Sequence, residues 1–173
     1  MWSFDDAQYP HLSRTTNKYL FTLVKKRLKI KQFRGTFPCD LMPRKLRNEQ
    51  IIIVNTDPHH RPGSHYIVLY RKKKTYFYFD SLCLDMRVTF PMLHRELLAR
   101  KFTPLHSVLA APIQAVSSIF CGYFCVDYIL SVVAPHPRVP KHSNLYNTDP
   151  NTLHLNDRIC IDNIIEYITR TNK

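Results

Sequence analysis

The sequence predicts an α+β fold in which a small mixed central β-sheet is flanked by helices. Three observations predict it. Runs rich in β-branched and aromatic residues follow one another between residues 51 and 81, the composition of strands on a pleated, half-buried surface. Segments with helical spacing of apolar residues stand before and after those runs. The length of 173 residues, with 45% hydrophobic residues and only 3 glycines, suits one domain with a sizeable core. Residues 1–173 are therefore read as a single domain, with 1–14 as an N-terminal extension.

Taken in order, residues 15–30 place Tyr19, Leu20, Leu23, Val24 and Leu28 on one face with lysines opposite, which predicts an amphipathic helix. The stretch 32–46 is punctuated by Gly35, Pro38 and Pro43 and reads as a loop. Strands are expected at 51–55, 65–71 and 75–81, the last two as a hairpin. A turn centred between Lys72 and Lys73 sets His65 opposite Asp80, close enough for an imidazole to meet a carboxylate. That register also pairs Tyr66 with Phe79 and Leu69 with Tyr76. Residues 90–101 predict a short helix opened by Pro91, and 103–113 hold a short strand. A long apolar helix over 119–133, capped by Ser117 or Ser118, places Cys121 in its first turn. Residues 135–157 contain four prolines and read as a surface loop before a last helix over 157–170. There is no internal repeat, linker or low-complexity tract.

The N-terminus lacks a basic segment followed by an apolar run, so no secretory signal is expected. The longest apolar segment contains Asp127 and is shorter than a membrane span; no membrane partner is expected. Five cysteines form an odd set without disulfide-like spacing, which favours a reducing compartment. The formal charge of +12 concentrates in three runs: Lys25, Lys26, Arg27, Lys29, Lys31 and Arg34; Arg44, Lys45 and Arg47; and Arg71, Lys72, Lys73 and Lys74. Each run alone is a solvated face. Together they point to a polyanion, with double-stranded DNA the expected partner.

A thiol at a helix N-terminus, or beside an imidazolium, is the setting that makes cysteine a nucleophile. Cys121 has the first condition and the His65–Asp80 pair offers the second, whereas an isolated helical cysteine is ordinarily a small buried hydrophobe. Cys121 and Cys125 also share a helix face, and with His59, His60 or His65 could hold zinc, although a second cysteine pair of metal-binding spacing is absent.

The ordered set His65, Asp80, Gln114, Cys121 resembles the adenovirus maturation protease family, the adenain-like cysteine proteases, and more distantly the proteases that process ubiquitin-like proteins. The matching pieces are GSHY (63–66), YFD (78–80) and QAVSSIFCGYFC (114–125). GTF (35–37), IVNT (53–56) and SNLYNTDPN (143–151) look like family segments in the same order. The resemblance implies an adenain-like fold with the nucleophile at the N-terminus of a central helix. It implies a cysteine endopeptidase that cuts structural precursor proteins of a virus or integrated virus-like element during particle maturation. Cys121 would be the nucleophile, His65 the base, Asp80 its partner and Gln114 the oxyanion donor. DNA is the implied activator, no cofactor is needed for the chemistry, and a monomer in the virion and host nucleus is the expected state. Two positions depart from the family: Tyr66 replaces a tryptophan and Asp80 a glutamate, the latter as in the ubiquitin-like branch. The stretch 101–114 lacks the cysteine that tethers a peptide activator in adenain, so any peptide activator is not disulfide-linked. A ubiquitin-like-protein protease and a non-catalytic basic nucleic-acid-binding protein are the alternative readings.

Overall fold

The structure, a computed structural model, describes residues 15–133 and 146–171. The expected extension over 1–14 and much of the loop expected over 135–157 lie outside the described residues. Five strands form one mixed sheet in the order β1 to β5: β1 (Phe33–Pro38), β2 (Ile51–Asn55), β3 (Tyr66–Lys72), β4 (Thr75–Phe79) and β5 (Leu105–Ser107). β1 runs parallel to β2 and β4 to β5, while β2, β3 and β4 are antiparallel neighbours. The helices are α1 (Asn17–Phe21), α2 (Met86–Thr89), α3 (Pro91–Ala99), α4 (Cys121–Val133) and α5 (Leu155–Thr171). None is long and apolar enough to cross a membrane.

The two-residue period of the strands sorts the core into two layers. Ile51, Ile53, Tyr66, Val68 and Phe79 pack on one face against Leu20, Val24, Phe124, Ile129 and Ile161 of the helices. Ile52, Val54, Ile67, Leu69 and Tyr76 pack on the other against Leu46, Met86, Leu93 and Leu97. Buried on both faces, β2 reads as an unbroken apolar run. α4 is buried at every position from Cys121 to Leu130, as an interior helix is.

Several expectations are corrected. The segment 32–46 is not a loop throughout. It contains β1, in which Phe33 is buried and Arg34 exposed, followed by a 3₁₀ turn over Cys39–Leu41. Gly35 and Pro38 hide this strand in the sequence, but an edge strand tolerates both, and Pro38 ends it. The first helix is shorter than 15–30: α1 passes into a π-helical turn over Thr22–Arg27, closed by Leu28 N donating to Leu23 O at 2.9 Å. The wider turn keeps Leu23, Val24 and Leu28 all facing the core.

The hairpin register is also corrected. Val68 pairs with Phe79 and Leu69 with Tyr78, and Lys73–Lys74 form the turn. The register is therefore shifted by two residues, and His65 does not stand directly opposite Asp80. A shift of two preserves the face of every side chain, so residues expected on one face of the hairpin still share it. Lys73 takes a left-handed conformation with φ 56°, and its N–H donates to Asn48 Oδ1 at 2.5 Å. This remote contact stabilises a turn that Lys-Lys does not favour by itself. The strand expected within 103–113 narrows to β5.

Candidate active site

His65 lies immediately before β3 and Asp80 immediately after β4. Adjacent antiparallel strands bring those two ends to the same edge of the sheet, so the pair meets in spite of the shifted register. His65 Nε2 donates to Asp80 Oδ1 at 2.7 Å, with His65 5% and Asp80 3% exposed. The carboxylate is held in turn by backbone N–H groups, Leu82 N on Oδ1 at 2.9 Å and Leu84 N on Oδ2 at 3.1 Å. Phe90 stacks on the His65 ring at 5.7 Å with planes 15° apart. The imidazole is thus fixed at its face and at one nitrogen.

With Nε2 committed to Asp80, Cys121 is the second residue that acts on the ring. Burial alone would lower the His65 pKa. The hydrogen bonds with Asp80 and Cys121, and the charges of both, outweigh that effect and raise it to about 9. His65 therefore carries a proton near neutral pH and presents positive charge to the thiol.

Cys121 is the first residue of α4 and is 8% exposed. All five cysteines are free thiols. Burial raises the pKa of Cys39 to about 11, and likewise raises those of Cys83, Cys125 and Cys160; none of these four has an imidazole hydrogen bond among its influences. Ser118 does not cap α4. Its hydroxyl accepts from Phe120 N at 3.2 Å, one residue ahead of the helix, and donates to Asp157 Oδ1 at 2.8 Å.

Gln114 is 2% exposed in the segment leading to α4. Its Nε2 donates to Ser118 O at 2.9 Å and its Oε1 accepts from Ser81 Oγ at 2.5 Å. A backbone carbonyl can only accept, which fixes the orientation of the amide. One Nε2 proton is used by Ser118 and the amide carries a second. The backbone of Ser81 contributes as well, its carbonyl accepting from Ile113 N at 2.9 Å and Gln114 N at 3.1 Å.

The structure therefore brings His65, Asp80 and Cys121 together and fixes Gln114 through Ser81 and Ser118. Sequence reasoning missed the supporting residues. Ser81 carries no signal beyond its place after Asp80. Asn156, fully buried, donates to Ile113 O at 2.8 Å and Asn147 O at 2.7 Å, tying the segment before Gln114 to the start of α5. Asp157 reads in sequence as an ordinary first-turn acid; burial raises its pKa to about 6, against the hydrogen bond from Ser118. Among the described residues, no group of three metal-ligating side chains includes Cys121 or Cys125.

The basic runs gather at the far end of the sheet. Arg71 Nη1 donates to Leu46 O at 2.6 Å, Glu49 N to Arg71 O at 2.7 Å and Ile51 N to Gln32 O at 3.1 Å. These contacts join the chain after Lys31, the 44–50 loop and the 71–74 turn. Arg34, Lys45, Arg47 and Gln50 line a cavity of about 420 Å³ there. Some of the candidate cations have structural duties: Lys25 Nζ donates to Phe33 O at 3.0 Å, Arg34 to Lys45 O at 2.9 Å, and Arg71 also to Lys73 O at 3.0 Å. Lys26, Arg27, Lys29, Lys31, Arg44, Lys45, Arg47, Lys72, Lys73 and Lys74 are exposed.

No protein-family model matches the chain, and no curated protein matches it.

Proposed function

We propose that this chain is an adenain-like cysteine endopeptidase that cleaves structural precursor proteins during maturation of a virus or virus-like element. The observation that carries the reading is a buried imidazole hydrogen-bonded to Asp80 at 2.7 Å whose proton affinity is also raised by the Cys121 thiol at the head of α4. Structural cysteines and histidines do not require that combination.

In the proposed reaction the proton given up by Cys121 is the one that makes His65 an imidazolium, and the thiolate so formed attacks the scissile carbonyl carbon. The tetrahedral oxyanion accepts from the Cys121 backbone N–H and the second Gln114 Nε2 proton, donors each worth on the order of 10² to 10³ in rate. Collapse breaks the C–N bond, and His65 gives its proton to the leaving amine. His65 then takes a proton from water, which attacks the thioester and releases the acid with the thiol restored. Asp80 keeps the ring oriented and stabilises the imidazolium.

The clustered cations at the opposite end of the sheet support DNA association, which would hold the enzyme near precursors packed around a genome in the virion and host nucleus. Asp80 in place of glutamate favours a second reading, a protease of ubiquitin-like proteins with the same chemistry. Assay of the purified chain on viral precursor peptides and on ubiquitin-like fusions separates the two. In either case Cys121→Ala is expected to abolish cleavage while leaving the fold and DNA binding intact. Absence of cleavage of either substrate class by the wild-type chain, with DNA binding present, defeats both readings and leaves the basic nucleic-acid-binding protein.

A further inference from the structure

We propose that Asp40, His59 and His60 form a binding site for a divalent transition-metal ion such as zinc. The site is separate from the candidate active site and does not depend on the protease reading. One donor atom from each of the three residues lies within 4.8 Å of the others. They come from two segments that meet only through folding: Asp40 from the 3₁₀ turn after β1, and the histidines from the loop after β2.

One backbone contact and the Arg100 side chain hold the two segments in place. Cys39 N donates to Asp57 O at 3.2 Å, and Arg100 Nη2 to Asp40 O at 2.9 Å. Asp40 Oδ1 accepts from His59 N at 2.9 Å and Oδ2 lies 2.5 Å from His59 Nδ1. The His59 and His60 rings stand 5.4 Å apart with planes at 85°.

Two imidazoles and one carboxylate select zinc, cobalt, nickel or copper over calcium or magnesium, which prefer all-oxygen shells. Three protein ligands at an exposed position leave room for water to complete the shell. The plain alternative is an Asp40–His59 ion pair in which His60 has no part.

A bound ion would also stiffen one wall of a polar cavity of about 240 Å³, to which Pro58, His59 and Arg61 contribute. Its other walls include Asn55 and Tyr66, the latter following His65 in the chain.

The test titrates zinc by calorimetry, and cobalt by its visible absorption, into the full chain stripped with chelator and carrying Cys121→Ser. Expected are one ion per chain at micromolar affinity, no thiolate-to-cobalt charge-transfer band, and a loss of about tenfold or more in His60→Ala and in Asp40→Asn. Circular dichroism checks that the variants stay folded; His60 is exposed, so its variant should. Absence of saturable binding, a thiolate band, or unchanged affinity in folded His60→Ala would overturn the site.

Discussion

Ser81 Oγ donates a 2.5 Å hydrogen bond to the side-chain oxygen of Gln114, so the residue after Asp80 orients the amide that lies ahead of Cys121. Two parts of the proposed machinery, the acid and the oxyanion donor, thereby share one support. On this basis Gln114→Ala should lower kcat by roughly 10² to 10³ with little change in KM. Ser81→Ala should cost only about tenfold, because Ser118 O still anchors Nε2. Steady-state kinetics on a cleavable peptide measure both. A rise in KM with kcat preserved would mark Gln114 as a substrate-binding residue instead.

Asp80 accepts from three N–H groups: His65 Nε2, Leu82 N and Leu84 N. An asparagine must turn its own NH₂ toward one of them, a mismatch of about 1 to 3 kcal/mol. Asp80→Asn should therefore be partly active and less stable, with Asp80→Ala slower still. Equal, near-wild-type rates in both would remove Asp80 from the site.

The raised pKa of His65 sets a pH window. A histidine whose folded pKa exceeds its ordinary 6.5 contributes stability that is complete below 6.5 and is lost as pH rises through about 9. Removing the Asp80 charge lowers the folded value, so Asp80→Asn should flatten this part of the stability profile. Urea denaturation at several pH values across the window reads the slope. An unchanged slope would mean that His65 does not draw its extra proton affinity from Asp80.

Asp157 works in the same direction, although it is a carboxyl group. Its folded pKa is raised from 3.8 to about 6, so its contribution is present below 3.8 and lost as pH climbs through 6. Asp157→Asn keeps an oxygen for Ser118 Oγ and escapes the cost of a buried charge. It should gain about 1 kcal/mol over the wild type at pH 7 and little or nothing at pH 4. Thermal melts at the two pH values decide the matter.

Lys45→Ala and Arg47→Ala should each reduce the salt slope of DNA binding by about one ion contact. Arg71→Ala should instead lower the melting temperature, because its guanidinium holds Leu46 O and Lys73 O. Fluorescence anisotropy over a salt series separates the two behaviours. A slope unmoved by the first pair would place any DNA contact elsewhere.

Much of this was legible in the chain itself. The β-branched and aromatic runs in 51–55 and 65–81 marked β2, β3 and β4, and residues two apart share a face because side-chain direction along a strand follows from covalent geometry alone. For the same reason the two-residue register shift left every hairpin side chain on its expected face. The apolar run after residue 119 and its polar lead-in placed Cys121 at the head of a helix. What the chain could not declare were contacts between distant segments. β1 exists because Phe33 pairs alongside Ile51, the hairpin register follows Asn48 as well as its own turn, and Gln114 is oriented by Ser81 and Ser118. The meeting of the basic runs and the clasp from Asn156 are likewise tertiary. Local propensity is a property of neighbouring residues, whereas hydrogen-bond partners and register depend on free energies summed over the assembled sheet.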